Sequence, residues 1–587
     1  MIKAVRSTNK KFKTVTFSNG FNVVLAERDK GATEKDSRNG LGKSTLIEII
    51  HFCLGAGTKV NAGLRVDELK DWTFILDLTL NGKDYSVHRN TTNYNFVEIE
   101  GDFTNWPIMP TKNPETGKFV LKNSDWVLVL GLLMFNLPPM ETERKYSPSF
   151  RALISYFIRK GVSAFNNPFE YFSDQKEWEI QVYNSYLLGL NWEYAADLQL
   201  IKDREKTLQT LKEAASQGLL TGFLGSQGEL EAEKVRLQEE CKIIGKELKS
   251  FNVHPEYTRI QEEANKLTEE IHGLANDYTI KQQVLNKYEQ SMVQEQDIAL
   301  DKVRNVYEDA GLVFSTQLVK QLEDVSEFHK IITENRKTYL DTEINRISRS
   351  ITEDLEKIQN KTNERAELLS VLETHGALEE YTLMQNRHSR LKQNLEEVEK
   401  RIENYKRFQS MKSTLKIEKE ELLQKMRQDY EERKAQIEQA ISLFNKNSTT
   451  LYSDPGILSI DITESGYKFK IEIRRAQSQG VGYMKTFTYD LTLTDINVSK
   501  HKNPADVFLI HDSTIFDGVD ERQIARAMEL AALSCEEHGF QYICTMNSDM
   551  VPRNDFSDEF GNDFDKKYVR AVFTDATEDG GILGFRF

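Results

Sequence analysis

Ser37-Arg38-Asn39-Gly40-Leu41-Gly42-Lys43-Ser44-Thr45 decides the fold, because an apolar run from Phe21 to Leu25 precedes it and a helix-patterned stretch from Thr45 to Leu54 follows it. Strand, glycine loop, lysine, hydroxyl and helix, in that order, make a cradle for phosphate groups. Gly40 and Gly42 let the backbone N–H groups of Asn39, Leu41 and Thr45 and their neighbours close around anionic oxygens at a helix N-terminus. Lys43 then reaches the outer phosphates, and the Ser44 hydroxyl is offered to a Mg²⁺ ion. Ser37 stands where the usual pattern has its first glycine.

A loop of this kind is completed by a second strand that ends in an acid, and Val507-Phe508-Leu509-Ile510-His511-Asp512 has that form. Asp512 is expected to hold the same Mg²⁺ through water, beside Ser44. The site is therefore split between the two ends of a 587-residue chain. Near the first end, hairpins are expected from Lys13 to Leu25 about Asn19-Gly20, and from Phe74 to Arg89 about Asn81-Gly82. Apolar helices are expected over Phe150 to Arg159 and Gln181 to Leu188. Near the second end, strands at Ile457 to Ile462, Tyr467 to Arg474, Asp506 to Ile510, Phe540 to Cys544 and Val569 to Phe573, with a helix at Glu521 to Glu537, read as a parallel α/β core.

Between these halves, Leu198 to Ile441 is rich in Glu, Lys, Gln, Leu and Asn and almost free of proline, the composition of long solvated helices. Leu267, Ile271, Leu274, Tyr278, Leu285, Tyr288 and Met292 follow spacings of three and four, with Lys281 as a polar intruder; Leu391, Leu395, Val398, Ile402 and Tyr405 answer them. Gly311, Val313, Phe314 and Phe328 break the pattern, so the chain is expected to turn back there and the arms to pair antiparallel. The expected division is 1–195 and 446–587 for the two head halves, 196–305 and 333–445 for the arms, and 306–332 for the tip. Pro255 and Gly376, both helix breakers, suggest a shared elbow near 255. Gly218, Gly222, Gly225 and Gly228 mark either a joint or a plain loop.

With 29% charged residues and a net charge of -15, the surface as a whole would repel nucleic acid, which leaves only local basic patches such as Lys3 to Lys43 to meet phosphate backbones. No window has the ~20 apolar residues of a membrane span, so a cytoplasmic protein without a membrane partner is expected. Cys53, Cys241, Cys535 and Cys544 form no C-x-x-C pair and read as reduced structural thiols. His329 and His511 read as structural histidines.

Phosphate loop first, coiled coil with a central turn, magnesium aspartate last: this layout resembles the SMC, Rad50 and RecF-like ABC ATPases, and Asn19-Gly20-Phe21-Asn22-Val23-Val24 resembles their strand before the loop. His511-Asp512-Ser513, Phe516-Asp517-Gly518-Val519-Asp520 and Phe328-His329 resemble a bacterial family of unknown function (DUF2326-type) found in ABC three-component conflict operons. The resemblance implies an ABC-type α/β head with a coiled-coil insertion, ATP and Mg²⁺ as cofactors, and a homodimer formed through the heads. It further implies DNA as a partner, and accessory and effector subunits, including a nuclease, in defence against phage or plasmids. An ATP-gated scaffold with little turnover and a recombination or repair ATPase remain as other readings.

Site residues follow from the same resemblance. Ser513 replaces the catalytic Glu that SMC heads carry after the magnesium Asp, so Asp517, Asp520 or Glu521 substitutes as base, or hydrolysis is slow. Ser478-Gln479-Gly480-Val481-Gly482 is either a signature loop, whose amides contact the γ-phosphate bound to the opposite subunit, or a glycine turn between strands. Asn547 stands in for the switch histidine, Gln175 for the magnesium-sensing glutamine and Arg89 for a head arginine. The tip lacks a zinc-hook C-x-x-C, so a contact there is metal-free through Val313, Phe314 and Phe328, or there is none.

Overall fold

A computed structural model describes residues 1–27, 41–59, 61–104, 106–114, 116–138, 144–216, 226–251, 255–294, 316–372, 378–473, 479–577 and 579–585. Two compact units divide the chain: Met1–Ile201, Asp301–Leu322 and Lys419–Phe587 form one, and Lys202–Leu300 with Glu323–Glu418 form the other.

The first unit is built on strand β3 (Phe21–Glu27), whose first six residues are all buried. A strand that is apolar on both faces belongs inside a covered parallel sheet. It lies between β12 (Gln541–Asn547) and β13 (Val569–Thr574), and β11 (Phe508–His511) flanks β12, all parallel. One strand from the N-terminal half is thus held among three from the C-terminal half. Phe21 stacks on Tyr542 at 5.4 Å and meets Tyr568 edge-on at 5.2 Å, so the join is packed as well as hydrogen-bonded.

The hairpin expected about Asn19-Gly20 does not form. Val15–Thr16 (β2) pairs instead with β1 (Ile2–Ser7) in a seven-stranded antiparallel sheet, and the chain crosses to the parallel sheet at Gly20, which has φ 78°. The buried Asn22 secures this crossing by accepting from Ser18 N–H and donating to the Ser18 and Gly20 carbonyls. The second expected hairpin is present as β4 (Thr73–Leu80) and β5 (Lys83–Asn90), with Asn81 and Gly82 both at positive φ as a type I′ turn requires.

The apolar stretch after Phe150 is helical only over Phe150–Ile154 (α3). Ile158 then bridges Ile510 in parallel, and Phe157 O accepts from Ile510 N–H, so the segment extends the sheet beyond β11. Among Ser478 to Gly482, Ser478 lies outside the described residues, while Gly480 and Gly482 lie in a helix (Gln479–Lys500), not in a turn between strands. That helix is threonine-rich, a strand-like composition. Its buried Thr488, Thr492 and Thr494 hydroxyls donate to carbonyls four residues back, which satisfies them inside a helical core.

In the second unit, helices α6 (Gln227–Ser250) and α7 (Pro255–Gln294) oppose α8 (Thr316–Leu372) and α9 (Leu378–Glu432). Leu230, Leu237 and Ile244 pack with Leu391, Val398 and Ile402. Ion pairs Lys234–Glu399, Glu270–Lys361 and Lys281–Asp354 descend one arm as they climb the other, so the pairing is antiparallel. Helix ends at Ser250 and Leu372 face restarts at Pro255 and Leu378, with Phe251 packed on Tyr381 at 5.6 Å. Residues 316–332, expected within the tip, belong to α8; 306–315, with Gly311, Val313 and Phe314, lie outside the described residues, as do Gly218, Gly222, Gly225 and Gly376 and the side chains of Phe328 and His329.

Lys281, the intruder in the heptad, is paired with Asp354, whose side chain is only 6% exposed. A polar pair with one buried partner in an apolar seam fixes register at a cost in stability. Lys281→Leu or Asp354→Leu alone is expected to lower the melting temperature of the full chain in circular-dichroism melts, and the double replacement to recover it. A double variant less stable than both singles would contradict this.

Candidate nucleotide site

Helix α1 (Lys43–Cys53) begins beside the carboxyl ends of β3, β12 and β11, where ligands bind in open α/β sheets. Gly42 is its N-cap at φ 94°, and a Cβ there would fall 2.1 Å from Ile582 Cγ2. Only glycine fits. Leu41 O accepts from Ile582 N–H at 3.2 Å, so the C-terminal segment buttresses the loop. Thr45 follows in the first turn of α1, while Ser37, Arg38, Asn39 and Gly40 lie outside the described residues.

Two contacts join the chain's ends at this point. Lys43 Nζ donates to Asn547 Oδ1 at 2.6 Å, and Ser44 Oγ donates to Asp512 Oδ2 at 3.0 Å. Ser513 Oγ donates to the other Asp512 oxygen at 3.1 Å, with Thr545 Oγ1 at 3.4 Å. Among the described residues no group of three His, Cys, Asp or Glu gathers to hold a metal. A cation between Ser44 and Asp512 would therefore draw its remaining ligands from water and phosphate, the habit of Mg²⁺. Hydroxyl and carboxylate side by side fit that ion.

The other candidates separate. Asp517 lies close enough to feel Asp512: burial first, then that charge, raise its pKa. Asp520 is the N-cap of helix α12 (Glu521–His538), accepting from Arg522 N–H at 3.1 Å. Gly480, in the first turn of helix α11 (Gln479–Lys500), presses so closely on the Gly518–Val519 backbone that a Cβ would lie 2.2 Å from Gly518 O. Gln175 does not present its amide to Ser44 or Asp512. Its Oε1 accepts from Tyr171 N–H and its Nε2 donates to the buried Tyr156 hydroxyl, because the loop that carries it folds into the core. Arg89 is likewise structural: fully buried, it donates to the carbonyls of Phe52, Ala56 and Tyr94 and closes the C-terminal end of α1.

Sequence reasoning missed the ion pair behind the site. Arg159 grips Asp490 of α11 with two hydrogen bonds of 2.6 and 2.7 Å, and His511 Nε2 lies 3.1 Å from Asp490, all of them buried. Burial lowers the His511 pKa, with Asp490 opposing. His511 Nδ1 meets Tyr542 OH at 3.1 Å, so the residue before Asp512 is fixed on both ring nitrogens. The legible signal was an arginine closing an apolar run and an aspartate in an otherwise uncharged, threonine-rich one.

Residues 447–587 match the family described as "Uncharacterised protein conserved in bacteria (DUF2326)". Over 492 residues the chain is 22% identical to "Uncharacterized protein YydD" of Bacillus subtilis (strain 168), covering 81% of this chain and 80% of that protein. Among solved structures it is similar to the Smc head domain with a coiled coil and joint from Pyrococcus yayanosii, with TM-score 0.36, 13% identity, and 99% and 96% of the two chains covered. It is also similar to the Pyrococcus furiosus Smc head with an extended coiled coil bound to the C-terminal domain of ScpA, with TM-score 0.34, 11% identity, and 94% and 91% covered. Among the described residues no helix is long and apolar enough to cross a membrane.

Gly42→Ala is expected to lower stability by about 2 kcal/mol or more, from positive φ and overpacking together, and calorimetry showing an unchanged melting temperature would refute it. Asp520→Ala is expected to cost about 1 kcal/mol as a lost cap, whereas Asp520→Asn keeps the cap. If both variants melt with the wild type, Asp520 is not a cap.

Proposed function

We propose that this chain is an SMC-like ATPase that binds Mg²⁺-ATP at the split site, dimerises through its heads and engages DNA as part of a multi-subunit defence complex. The observation that carries the nucleotide reading is the Ser44–Asp512 hydrogen bond, which spans 468 residues of chain. Lys43 is assigned to the β and γ phosphates, and Ser44 and Asp512 to the metal, which when bound neutralises phosphate charge. Asn547, in contact with Lys43, is assigned to the same phosphate as Lys43. The amides at the start of α11, with Ser478 just before it, are assigned to the γ-phosphate of a second head. DNA, accessory subunits and an effector nuclease rest on the resemblance alone, as does a cytoplasmic location.

Asp517 is the base favoured by position: burial raises its pKa and the nearby Asp512 charge adds to that, whereas the Asp520 carboxylate is committed to a helix end. A second reading, an ATP-gated scaffold with little turnover, is favoured by Ser513, whose hydroxyl donates to Asp512 where a neighbouring carboxylate would act as base.

Phosphate release with and without duplex DNA separates the two. The ATPase reading expects DNA-stimulated turnover, lost in Lys43→Ala and reduced about 100-fold or more in Asp517→Asn with ATP binding kept. A base works deprotonated, so wild-type turnover should fall as pH drops through a pKa raised from the ordinary aspartate value, and Asp517→Asn should abolish that limb. ATP-dependent dimerisation in light scattering without phosphate release supports the scaffold, and turnover untouched by Asp517→Asn removes Asp517 as base.

A further inference from the structure

Across the parallel sheet, β3 leads into the phosphate loop, β12 ends at Asn547, β11 ends before Asp512, and the segment through Ile158 lies one place further out. Ile158 bridges Ile510, and Lys160 follows it by two residues just as Asp512 follows Ile510 by two. Lys160 Nζ pairs with Glu48 Oε1 at 3.1 Å, and the lysine side chain is 54% exposed. Glu48 lies four residues after Ser44 on α1, on the same helix face and about 6 Å along the axis. Two adjacent pairs thus line one side of α1: Ser44 with Asp512, and Glu48 with Lys160.

We infer that Lys160 is a further phosphate-binding cation of the nucleotide site, contacting the terminal phosphate from the side opposite Lys43. This rests on the nucleotide reading given above. Ser44 and Asp512 would hold the metal, which would neutralise charge on the outer phosphates. A cation one strand beyond the metal carboxylate, away from β3, therefore meets the outer end of the triphosphate and not the base or sugar. A lysine ammonium on a long flexible stem exchanges one carboxylate partner for a phosphate by rotation of its side chain alone. The pairing with Glu48 holds it at the site, and as a half-exposed ion pair it contributes little stability of its own. Gly161, at φ 80°, follows immediately.

Binding of ATP and of ADP, each with Mg²⁺, should be measured by calorimetry on wild type, Lys160→Ala, Lys160→Arg and Glu48→Gln. Lys160→Ala is expected to lose about tenfold in ATP affinity and less than twofold in ADP affinity, because only the triphosphate carries the group it holds. Lys160→Arg should restore most of the ATP affinity, and Glu48→Gln should keep it within twofold. A structural ion pair predicts instead that Lys160→Ala and Glu48→Gln behave alike toward both nucleotides, and that result overturns the inference while leaving the nucleotide reading intact. A wild type that binds neither nucleotide overturns the reading itself. Retained ADP affinity in Lys160→Ala shows that the variant is folded.

Discussion

One strand governs this molecule. β3 leads from the N-terminal half toward the loop proposed to bind phosphate, yet its hydrogen-bond partners on both sides, β12 and β13, come from the C-terminal half. A strand with six consecutive buried residues has no stable home in a sheet solvated on one face, so it must be inserted where both faces are covered. Everything at the site follows from that insertion. Asn547 comes level with Ala26 at the sheet edge, Asp512 comes level with Thr545, and Lys43 and Ser44 meet them at the start of α1.

Supports for this arrangement lie beneath it. Arg159, Asp490 and His511 tie the segment beside β11, helix α11 and β11 itself to one another through buried charge. Breaking such a pair leaves an uncompensated buried charge, typically about 3–5 kcal/mol, so the three elements are held as a unit. The same helix presses Gly480 against Gly518, which places its first turn beside the loop that carries Asp517. In the other unit, apolar seams supply most of the packing, while Lys281 and Asp354 supply a register mark.

Much of this was legible in the residues. The meeting of the two chain ends was legible, since a lysine and hydroxyl opening a helix after an apolar run, and a strand ending at Asp512, do come together through Lys43–Asn547 and Ser44–Asp512. The hairpin at Asn81-Gly82 was legible as well. The Asn19-Gly20 turn was misread because the dipeptide alone does not say which sheet takes the strand that follows. Gln175 and Arg89 were misassigned because a buried hydrogen-bonding role and a site role draw on the same residue types. Helix α11 escaped notice because its threonines suggest a strand until their hydroxyls are seen bonded along the helix.

The claim on which the rest depends is that the two chain ends share one metal–nucleotide site. Crystals grown with Mn²⁺ and a non-hydrolysable ATP analogue would locate the metal by anomalous scattering. The account predicts a single strong peak between Ser44 Oγ and the Asp512 carboxylate, adjoining the β and γ phosphates. A nucleotide bound elsewhere, or a peak distant from Asp512 with the Ser44–Asp512 hydrogen bond still in place, would contradict it.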